Sequence, residues 1–333
     1  MLTASGGLAA SPTEDQERLG PAGLRVRPRG SGPGRRKRRP DLLPYVMVLP
    51  AVVIFVAVLG YPLLRLVELS LQHFGLRELF TRTTHWVGLS NYAAVLSDRF
   101  FWTVVARTVA FTAANVVLTI VVGMLVALLL ARLGKVMRTV VSIAMVLAWA
   151  MPSITAAIVW QWLFETEYGV VNWLLTQTRL GTFTDTDWFG RSALLAFTVI
   201  TLMIVWQAIP FVALSLYAGL TQVPIELYEA VKVDGAGPWM TFRSITLPIL
   251  RPILLLLAIL STIWDFNVFN QIWVMTQGGP NQGTVILGIW SWIQAFAASQ
   301  FGTGSAIAVI SVALLAGLSA YYVRQLVQAG EVA

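Results

Sequence analysis

An acidic side chain inside an apolar stretch is the residue of this sequence best suited to bind a polar ligand. Asp265 lies in the stretch 249–275, and Ser261 precedes it by four residues, so a helix would present both on one face. Asn267 and Asn270 would then project roughly opposite. A carboxylate and a hydroxyl at this spacing both form hydrogen bonds, which suits a ligand with several hydroxyl groups. We therefore predict Ser261 and Asp265 as ligand-binding residues.

Two other apolar stretches carry aromatic and polar side chains close together. In 139–163, Trp149 and Ser153 are four residues apart, which predicts that they share one helix face, and Pro152 between them would bend the helix. In 193–219, the candidates are Trp206, Gln207 and Phe211, which surround Pro210. An aromatic face packs against the C–H face of a ring-shaped ligand, so these stretches predict a cavity that also contains Ser261 and Asp265.

Less specific interpretations of these residues remain open. An aromatic residue in an apolar helix commonly packs against another helix, and a serine or asparagine commonly joins two helices by a hydrogen bond. Asp265 could also form a structural ion pair, for which Arg107 or Arg251 is the candidate partner.

The elements that must position these residues are membrane-spanning helices. Hydrophobic residues make up 57% of the 333 residues and charged ones only 12%, whereas soluble domains carry about 25% charged residues. An α-helix needs about 20 apolar residues to cross the hydrocarbon layer and satisfies its backbone hydrogen bonds internally. We predict an all-α bundle with six spans, at 45–67, 104–131, 139–163, 193–219, 249–275 and 303–323.

Basic residues predict the orientation of the chain. Residues 1–43 are rich in Gly, Pro, Arg and Ser, so we predict a disordered cytoplasmic tail, followed by a membrane domain over 44–333. With both termini in the cytoplasm, the inner segments hold sixteen of the 23 Lys and Arg, nine of them in the tail. The tail's position before the first span indicates contact with lipid headgroups rather than with nucleic acid.

The segment 222–248 between the fourth and fifth spans has the pattern of two short helices separated by glycines. Pro224 suits a first helical turn, Gly235 and Gly237 suit a helix stop, and Pro238 suits a second start. An apolar stripe of Leu227, Tyr228 and Val231 predicts that another protein covers the first helix.

The same segment resembles the EAA loop of binding-protein-dependent ABC importer permeases. Glu229-Ala230, Asp234-Gly235-Ala236-Gly237, and then Phe242, Ile245, Leu247 and Pro248 carry the resemblance, with Val231 where a second alanine often stands. In that family the loop forms a coupling helix that docks into a cleft of the ATPase subunit. The resemblance therefore implies coupling roles for Leu227, Tyr228, Glu229, Ala230, Asp234, Gly235, Ala236 and Gly237.

Further motifs extend the resemblance along most of the chain. They are similar to motifs of the larger permease of maltose-type sugar importers, and the candidate cavity residues align with the translocation cavity of that permease. The motifs are Gly88-Leu89-Ser90-Asn91-Tyr92, Tyr168-Gly169-Val170-Val171-Asn172, Gly278-Gly279-Pro280 and Phe301-Gly302.

Several kinds of chemistry are not predicted from the sequence. The chain has no Gly-x-x-x-x-Gly-Lys-Ser/Thr motif, so ATP and Mg²⁺ are expected on partner ATPase subunits and no cofactor is expected in this chain. It has no cysteine, and its two histidines, His73 and His85, are expected to be solvated loop residues rather than metal ligands. No arrangement of residues suited to catalysis is evident, so the chain itself is predicted not to be an enzyme.

The resemblance implies an ABC importer permease of type I fold that moves a mono-, di- or oligosaccharide inward by alternating access. Its expected partners are a second homologous permease, a homodimer of ATPase subunits, an extracytoplasmic sugar-binding protein and the lipid bilayer. Its expected location is the plasma membrane of a prokaryote. Two alternatives remain: a motor-independent secondary transporter or channel, which would show inverted repeats or several intramembrane charges, and a membrane-bound enzyme, which would need a reactive cluster.

Overall fold

The structure, a computed structural model, describes residues 43–178 and 181–328 and consists mainly of α-helices. The predicted tail therefore lies outside the described residues apart from Leu43. The helices are α1 Leu43–Phe55, α2 Tyr61–Ser70, α3 Leu76–Thr81, α4 Ser90–Ser97, α5 Arg99–Arg132, α6 Lys135–Trp149, α7 Ser153–Leu163, α8 Val170–Gln177, α9 Ala193–Leu220, α10 Ile225–Val233, α11 Pro238–Thr241, α12 Leu247–Phe266, α13 Asn270–Thr276, α14 Leu287–Trp292 and α15 Phe301–Gln328.

Three π-helical turns and one small sheet complete the described elements. The π-helical turns are Val56–Gly60, Phe242–Thr246 and Ile293–Ala297. The sheet is an antiparallel pair of two-residue strands, β1 Gln72–His73 and β2 His85–Trp86, in which His73 lies opposite His85. The all-α prediction therefore holds for every long element.

The chain divides into two units after Phe55. The described part of the first unit is α1, a helix of 13 residues with Pro50 in its interior. The second unit begins at Val56 and contains all the other elements.

Five described helices are long and apolar enough to cross a membrane. They are Val46–Ser70, Arg99–Arg132, Ala193–Leu220, Pro238–Phe266 and Phe301–Gln325. Helices α6 and α7 are long and apolar enough only as a pair, and they raise the number to six when they are counted as one span. The structure therefore has the predicted six spans when α6 and α7 are counted together.

The third predicted span, 139–163, is broken. Helix α6 ends at Trp149, α7 begins at Ser153, and the two are bent by 98°. The prediction that Trp149 and Ser153 share one helix face is therefore wrong. The reason is Pro152, which has no N–H for a continuing helix and precedes α7 with an extended ψ of 134°.

The fifth span is displaced from its predicted position. The helix runs from Pro238 to Phe266, whereas we predicted 249–275. It begins earlier because the helix that starts at Pro238 continues through the π-helical turn Phe242–Thr246 and past Pro248 and Pro252. It ends earlier because the chain leaves the helix at Asn267, and α13 then starts anew at Asn270.

The core of the second unit is centred on the contact between α5 and α9. A side chain at Gly123 of α5 would bring its Cβ within 2.6 Å of Val212 Cγ1, so only glycine allows the two helices to approach this closely. At Gly219, the equivalent atom would lie 2.7 Å from Leu250 Cδ2 of α12. Small residues therefore set the spacing of α5, α9 and α12, as is typical of helix packing in membranes.

The segments between the spans are held by side-chain hydrogen bonds to backbone groups. Asn91 Nδ2 donates to the carbonyl oxygens of Ser70 and Gln72, both at 2.8 Å, and joins α4 to the end of α2. Glu78 begins α3 by accepting a hydrogen bond from the N–H of Gly75 at 2.9 Å. Hydrogen bonds from the backbone amides of Glu78 itself and of Gly75 lower the pKa of the Glu78 carboxyl below its usual value.

Asn172, which is buried, holds another connecting segment by side-chain hydrogen bonds. Its Nδ2 donates to the carbonyl oxygen of Thr186 at 3.1 Å, and its Oδ1 accepts from Trp188 Nε1 at 2.6 Å. The motif residues Asn91 and Asn172 thus serve to fix the connecting segments.

Candidate functional site

Helix α10 carries the first half of the predicted coupling segment and is closed by a Schellman motif. The N–H of Ala236 donates to the carbonyl oxygen of Val231, and the N–H of Gly235 donates to that of Lys232, both at 3.1 Å. Gly235 has a φ of +77°, the left-handed conformation that this motif requires. The prediction that a glycine ends the helix is confirmed for Gly235.

Gly237 has a different role from Gly235. Its φ of −73° and ψ of 170° describe an extended conformation that any residue adopts, and it is the residue immediately before α11. Nothing lies within 4 Å of a Cβ placed at either glycine, so backbone conformation alone distinguishes them. Gly237 therefore takes no part in the helix stop that was predicted for both glycines.

The second half of the segment is the beginning of the fifth span rather than a separate short helix. Pro238 is the first residue of α11, as predicted, and the helix continues without a break through the π-helical turn Phe242–Thr246 into α12. Tyr228 Oη lies 3.2 Å from Thr246 Oγ1 and so links α10 to this helix. The coupling segment is therefore one short helix attached to one end of a long one.

The apolar surface of the segment differs from the predicted stripe. Tyr228 and Val231 are half-buried, and Leu227 is only 39% exposed. The most exposed apolar residues lie on both helices: Ile225 at 65%, Val233 at 87%, Trp239 at 72% and Met240 at 57%. We call these four residues the knob patch.

The other predicted coupling residues lie at the surface close to the knob patch. Glu229, Ala230, Asp234, Gly235 and Gly237 are exposed, and Ala236 is half-buried. The sequence did not single out Ile225, Val233, Trp239 or Met240. The feature that could have identified these four residues is their apolar character within a segment that otherwise carries charged residues.

The predicted ligand-binding residues lie around two helix breaks that meet. Gln207 Nε2 of α9 donates to the carbonyl oxygen of Met151, within the break between α6 and α7, at 2.7 Å. Asn270 Nδ2, at the start of α13, lies 3.5 Å from Ser153 Oγ, at the start of α7. The structure therefore brings Ser153 and Gln207 close to the same break.

Three aromatic rings lie beside the break. Trp149 stacks on Phe211 with ring centroids 5.9 Å apart and an interplanar angle of 20°. The same Phe211 contacts the ring of Trp264, which the sequence did not single out, edge to face at 5.4 Å. Trp149 and Trp264 are each 47% exposed, so this group offers open aromatic surface.

The other predicted ligand-binding residues, Trp206, Ser261 and Asp265, are not part of this aromatic group. Trp206 packs on Trp160 at 5.9 Å and belongs to the edge of the main core. Ser261 and Asp265 are buried at 5% exposure each, whereas Trp264 and Asn267 at the same helix end are exposed. The structure therefore separates the Ser261–Asp265 face from the aromatic group.

No ion pair to Asp265 occurs among residues 43–178 and 181–328, where the one salt bridge joins Arg65 and Glu68. Arg107 instead donates to the carbonyl oxygens of Gln282 and Val285, both at 2.8 Å, and Arg251 is exposed. The structural ion pair that the sequence left open is thus not formed with either arginine.

The sequence matches a family model described as "Binding-protein-dependent transport system inner membrane component" over residues 119–330. It is 45% identical over 309 residues to the diacetylchitobiose uptake system permease protein DasB of Streptomyces coelicolor, a match that covers 92% of this chain and 94% of that protein. It is 34% identical over 289 residues to the trehalose/maltose transport system permease protein MalF of Thermococcus litoralis, covering 86% and 95%.

A third relative and a solved structure agree with these matches. The sulfoquinovosyl glycerol transport system permease protein SmoG of Agrobacterium fabrum is 36% identical over 283 residues, covering 85% of this chain and 90% of that protein. A chain of a bacterial ABC transporter involved in the import of the acidic polysaccharide alginate superposes with a TM-score of 0.72 at 18% identity, covering 86% and 95%. The match to the solved structure supports the fold.

Proposed function

This chain belongs to the family of inner membrane components of binding-protein-dependent transport systems, and we propose that it is a permease subunit through which an ATP-driven importer moves a saccharide into the cell. The family is one of multi-pass membrane proteins, in agreement with the apolar helices of the structure. The observation that carries the proposal is the α10–α11 knob, a capped helix with exposed apolar residues at one end of a spanning helix.

The class of substrate is inferred from the relatives and from the rings beside the helix break. The three relatives named above are described as permease proteins of a diacetylchitobiose uptake system, a trehalose/maltose transport system and a sulfoquinovosyl glycerol transport system, and all these compounds contain sugar rings. Trp149, Phe211 and Trp264 supply aromatic faces, and Ser153 and Gln207 supply hydrogen-bonding groups beside them. This combination suits a saccharide.

Asp265 and Ser261 are proposed as a second part of the same pathway. A carboxylate in a membrane helix costs free energy unless it has a partner, and the described residues supply none by hydrogen bond or ion pair. A saccharide hydroxyl, reached when the helices move, is the partner that we propose for Asp265. Trp206 is proposed to contribute by packing beside Gln207.

Coupling to ATP hydrolysis is assigned to the knob. The motor is proposed to be a homodimer of ATPase subunits that bind ATP and Mg²⁺, since this chain has no phosphate-binding loop of its own. Leu227, Tyr228, Glu229, Ala230, Asp234, Gly235, Ala236 and Gly237 would form the contact, together with the knob patch. The chain itself would supply the pathway and the coupling surface, and no catalysis.

The remaining partners and the orientation follow from the same function. An extracytoplasmic sugar-binding protein would deliver the saccharide, and a second homologous permease would complete the pathway. The positive-inside rule supports the proposal that the knob end, and with it both termini, faces the cytoplasm, since Arg132, Lys135, Lys232 and Arg243 lie close to the knob.

The proposal is tested by uptake of radiolabelled saccharides in a strain that lacks this permease and is complemented with the gene. N,N′-diacetylchitobiose, trehalose and maltose are the first probes. We expect ATP-dependent uptake of at least one of them, and its loss in Ala230→Trp, because Ala230 is exposed at the knob and a large ring there would block docking. The control is Ala113→Trp, at an exposed alanine within α5. Uptake that persists unchanged in Ala230→Trp would favour the motor-independent transporter.

A further inference from the structure

A large groove separates the second half of α5 from the knob and the beginning of α12. Its volume is about 1020 Å³, at the upper end of the roughly 300–1000 Å³ of small-molecule sites. Its walls are apolar, with Ile120, Met124 and Leu128 on α5 and Leu247 and Leu254 on α12. We call it the α5–α12 groove.

The charged residues of the α5–α12 groove are all basic and lie at one end of it. Arg132, the last residue of α5, and Lys232 of α10 line the groove, and no Asp or Glu does. Both side chains are exposed, and among residues 43–178 and 181–328 neither forms a salt bridge. Arg138, by contrast, donates hydrogen bonds to the carbonyl oxygens of Leu130 and Leu133 and to the hydroxyl of Tyr217. The end of the groove therefore has positive charge available for an anion.

The dimensions of the groove match one half of a bilayer. The twelve-residue step from Ile120 to Arg132 is about 18 Å along a helix. The hydrocarbon core is about 30 Å thick, so one leaflet contributes about 15 Å. Apolar walls of that length, which end in two basic side chains, repeat the arrangement of acyl chain and headgroup in a phospholipid.

The groove is also open along the exposed surface of α5. Val121 and Leu125, which line it, are 52% and 61% exposed on the surface of α5. Trp239, which is 72% exposed, lines it close to the basic end, and tryptophan is enriched at the membrane interface. An elongated apolar groove with an interfacial tryptophan favours a lipid over a soluble anion.

We propose that the α5–α12 groove binds one anionic phospholipid, with its acyl chains along α5 and α12 and its phosphate between Arg132 and Lys232. Because Lys232 and Trp239 belong to the coupling segment, the lipid would contact both the pathway helices and the surface that is assigned to the motor. The inference rests on the proposed function only for the leaflet concerned, which is the cytoplasmic one.

The test uses the full chain in nanodiscs made either of phosphatidylcholine alone or of equal parts phosphatidylcholine and phosphatidylglycerol, with native mass spectrometry to detect retained lipid. We expect a retained phosphatidylglycerol. Since a basic residue near anionic lipid contributes about 1 kcal/mol, we expect Arg132→Gln and Lys232→Gln each to reduce its retention about fivefold. Lys135→Gln removes an exposed basic residue of the same turn that does not line the groove, and it should leave retention unchanged.

Position is tested separately with phosphatidylglycerol brominated on its acyl chains. We expect it to quench a part of the fluorescence that is absent in Trp239→Phe.

Equal retention of both lipids, or equal retention in Lys232→Gln and Lys135→Gln, would overturn the inference. Loss of the lipid when the ATPase subunits or the second permease are added would also overturn it, because a protein would then fill the groove. Saccharide uptake is measured in parallel, so uptake that continues while lipid retention fails would refute this site and leave the proposed function standing.

Discussion

The carbonyl oxygen of Val231 accepts a hydrogen bond from the N–H of Ala236 at 3.1 Å, across the left-handed Gly235. This bond turns the chain from the short helix of the knob towards the long helix of the fifth span. The shape of the coupling segment therefore depends on the conformation of one residue.

Gly235→Ala is expected to weaken coupling more than Gly237→Ala does. A side chain in the left-handed region costs about 1–2 kcal/mol, and Gly237 has an extended conformation that alanine adopts freely. Saccharide-stimulated ATPase activity of the assembled transporter is the measurement, with membrane insertion checked by blotting. Equal activity in the two variants would show that the Schellman motif has no part in coupling.

Trp149→Ala is expected to raise the KM for saccharide uptake by about two- to tenfold. The ring is 47% exposed beside Phe211, and the saccharide stacking that we propose for it would contribute about 0.5–1.5 kcal/mol, as aromatic contacts do. Trp162→Ala is the control, since Trp162 is 56% exposed and lies outside the Trp149–Phe211–Trp264 group. A change in both variants would indicate a general effect of losing a tryptophan from the membrane surface.

Gln207→Leu is expected to lower the thermal midpoint of the purified protein by a few degrees. The variant loses the 2.7 Å hydrogen bond to the carbonyl oxygen of Met151, which contributes about 0.5–1.5 kcal/mol and closes the break between α6 and α7. Gln222→Leu alters an exposed glutamine and is the matched control. An unchanged midpoint for Gln207→Leu would mean that the break is held by other contacts.

Asp265→Asn is expected to raise the KM for saccharide without lowering the thermal midpoint. Asparagine preserves the shape of this buried side chain, and the carboxylate has no ion pair to lose among the residues that the structure describes. Uptake kinetics and thermal unfolding are measured on the same preparation. A normal KM with a raised midpoint would identify Asp265 as a structural residue that costs stability.

Asn172→Ala is expected to loosen the segment that follows α7. The indole N–H of the half-buried Trp188 would lose its 2.6 Å acceptor, and a donor left unsatisfied away from water costs about 1–3 kcal/mol. Faster proteolysis between α8 and α9 is the measurement. Gln177→Ala, at an exposed site at the end of α8, shows whether any change there has this effect.

The spans were predictable because hydropathy depends on composition, which the sequence states directly. Four of the six predicted stretches differ from the described helices by only a few residues. The break at Pro152 had a local signal, although its 98° angle depends on packing against α9 and α13. The end of α12 at Phe266 had no such signal, because apolar residues continue through Val268 and Phe269.

The candidate sites were predictable only in part. Helix periodicity placed Ser261 and Asp265 on one face, and both are buried, as residues of one face would be. Periodicity could not place Trp264 beside Phe211, since the two belong to different helices and their contact arises from tertiary packing. The knob patch was missed for a similar reason, because exposure depends on which face of α10 turns towards Thr246.

Because the helix is continuous from Pro238 to Phe266, a movement of the knob would be transmitted to its far end. A helix of this length is about 43 Å long. If it pivots as a rigid rod, a ten-degree rotation at Trp239 displaces Phe266, at the far end, by about 7 Å. A small push on the knob would thus be amplified into a displacement about as wide as a sugar ring, beside the rings of Trp264 and Phe211.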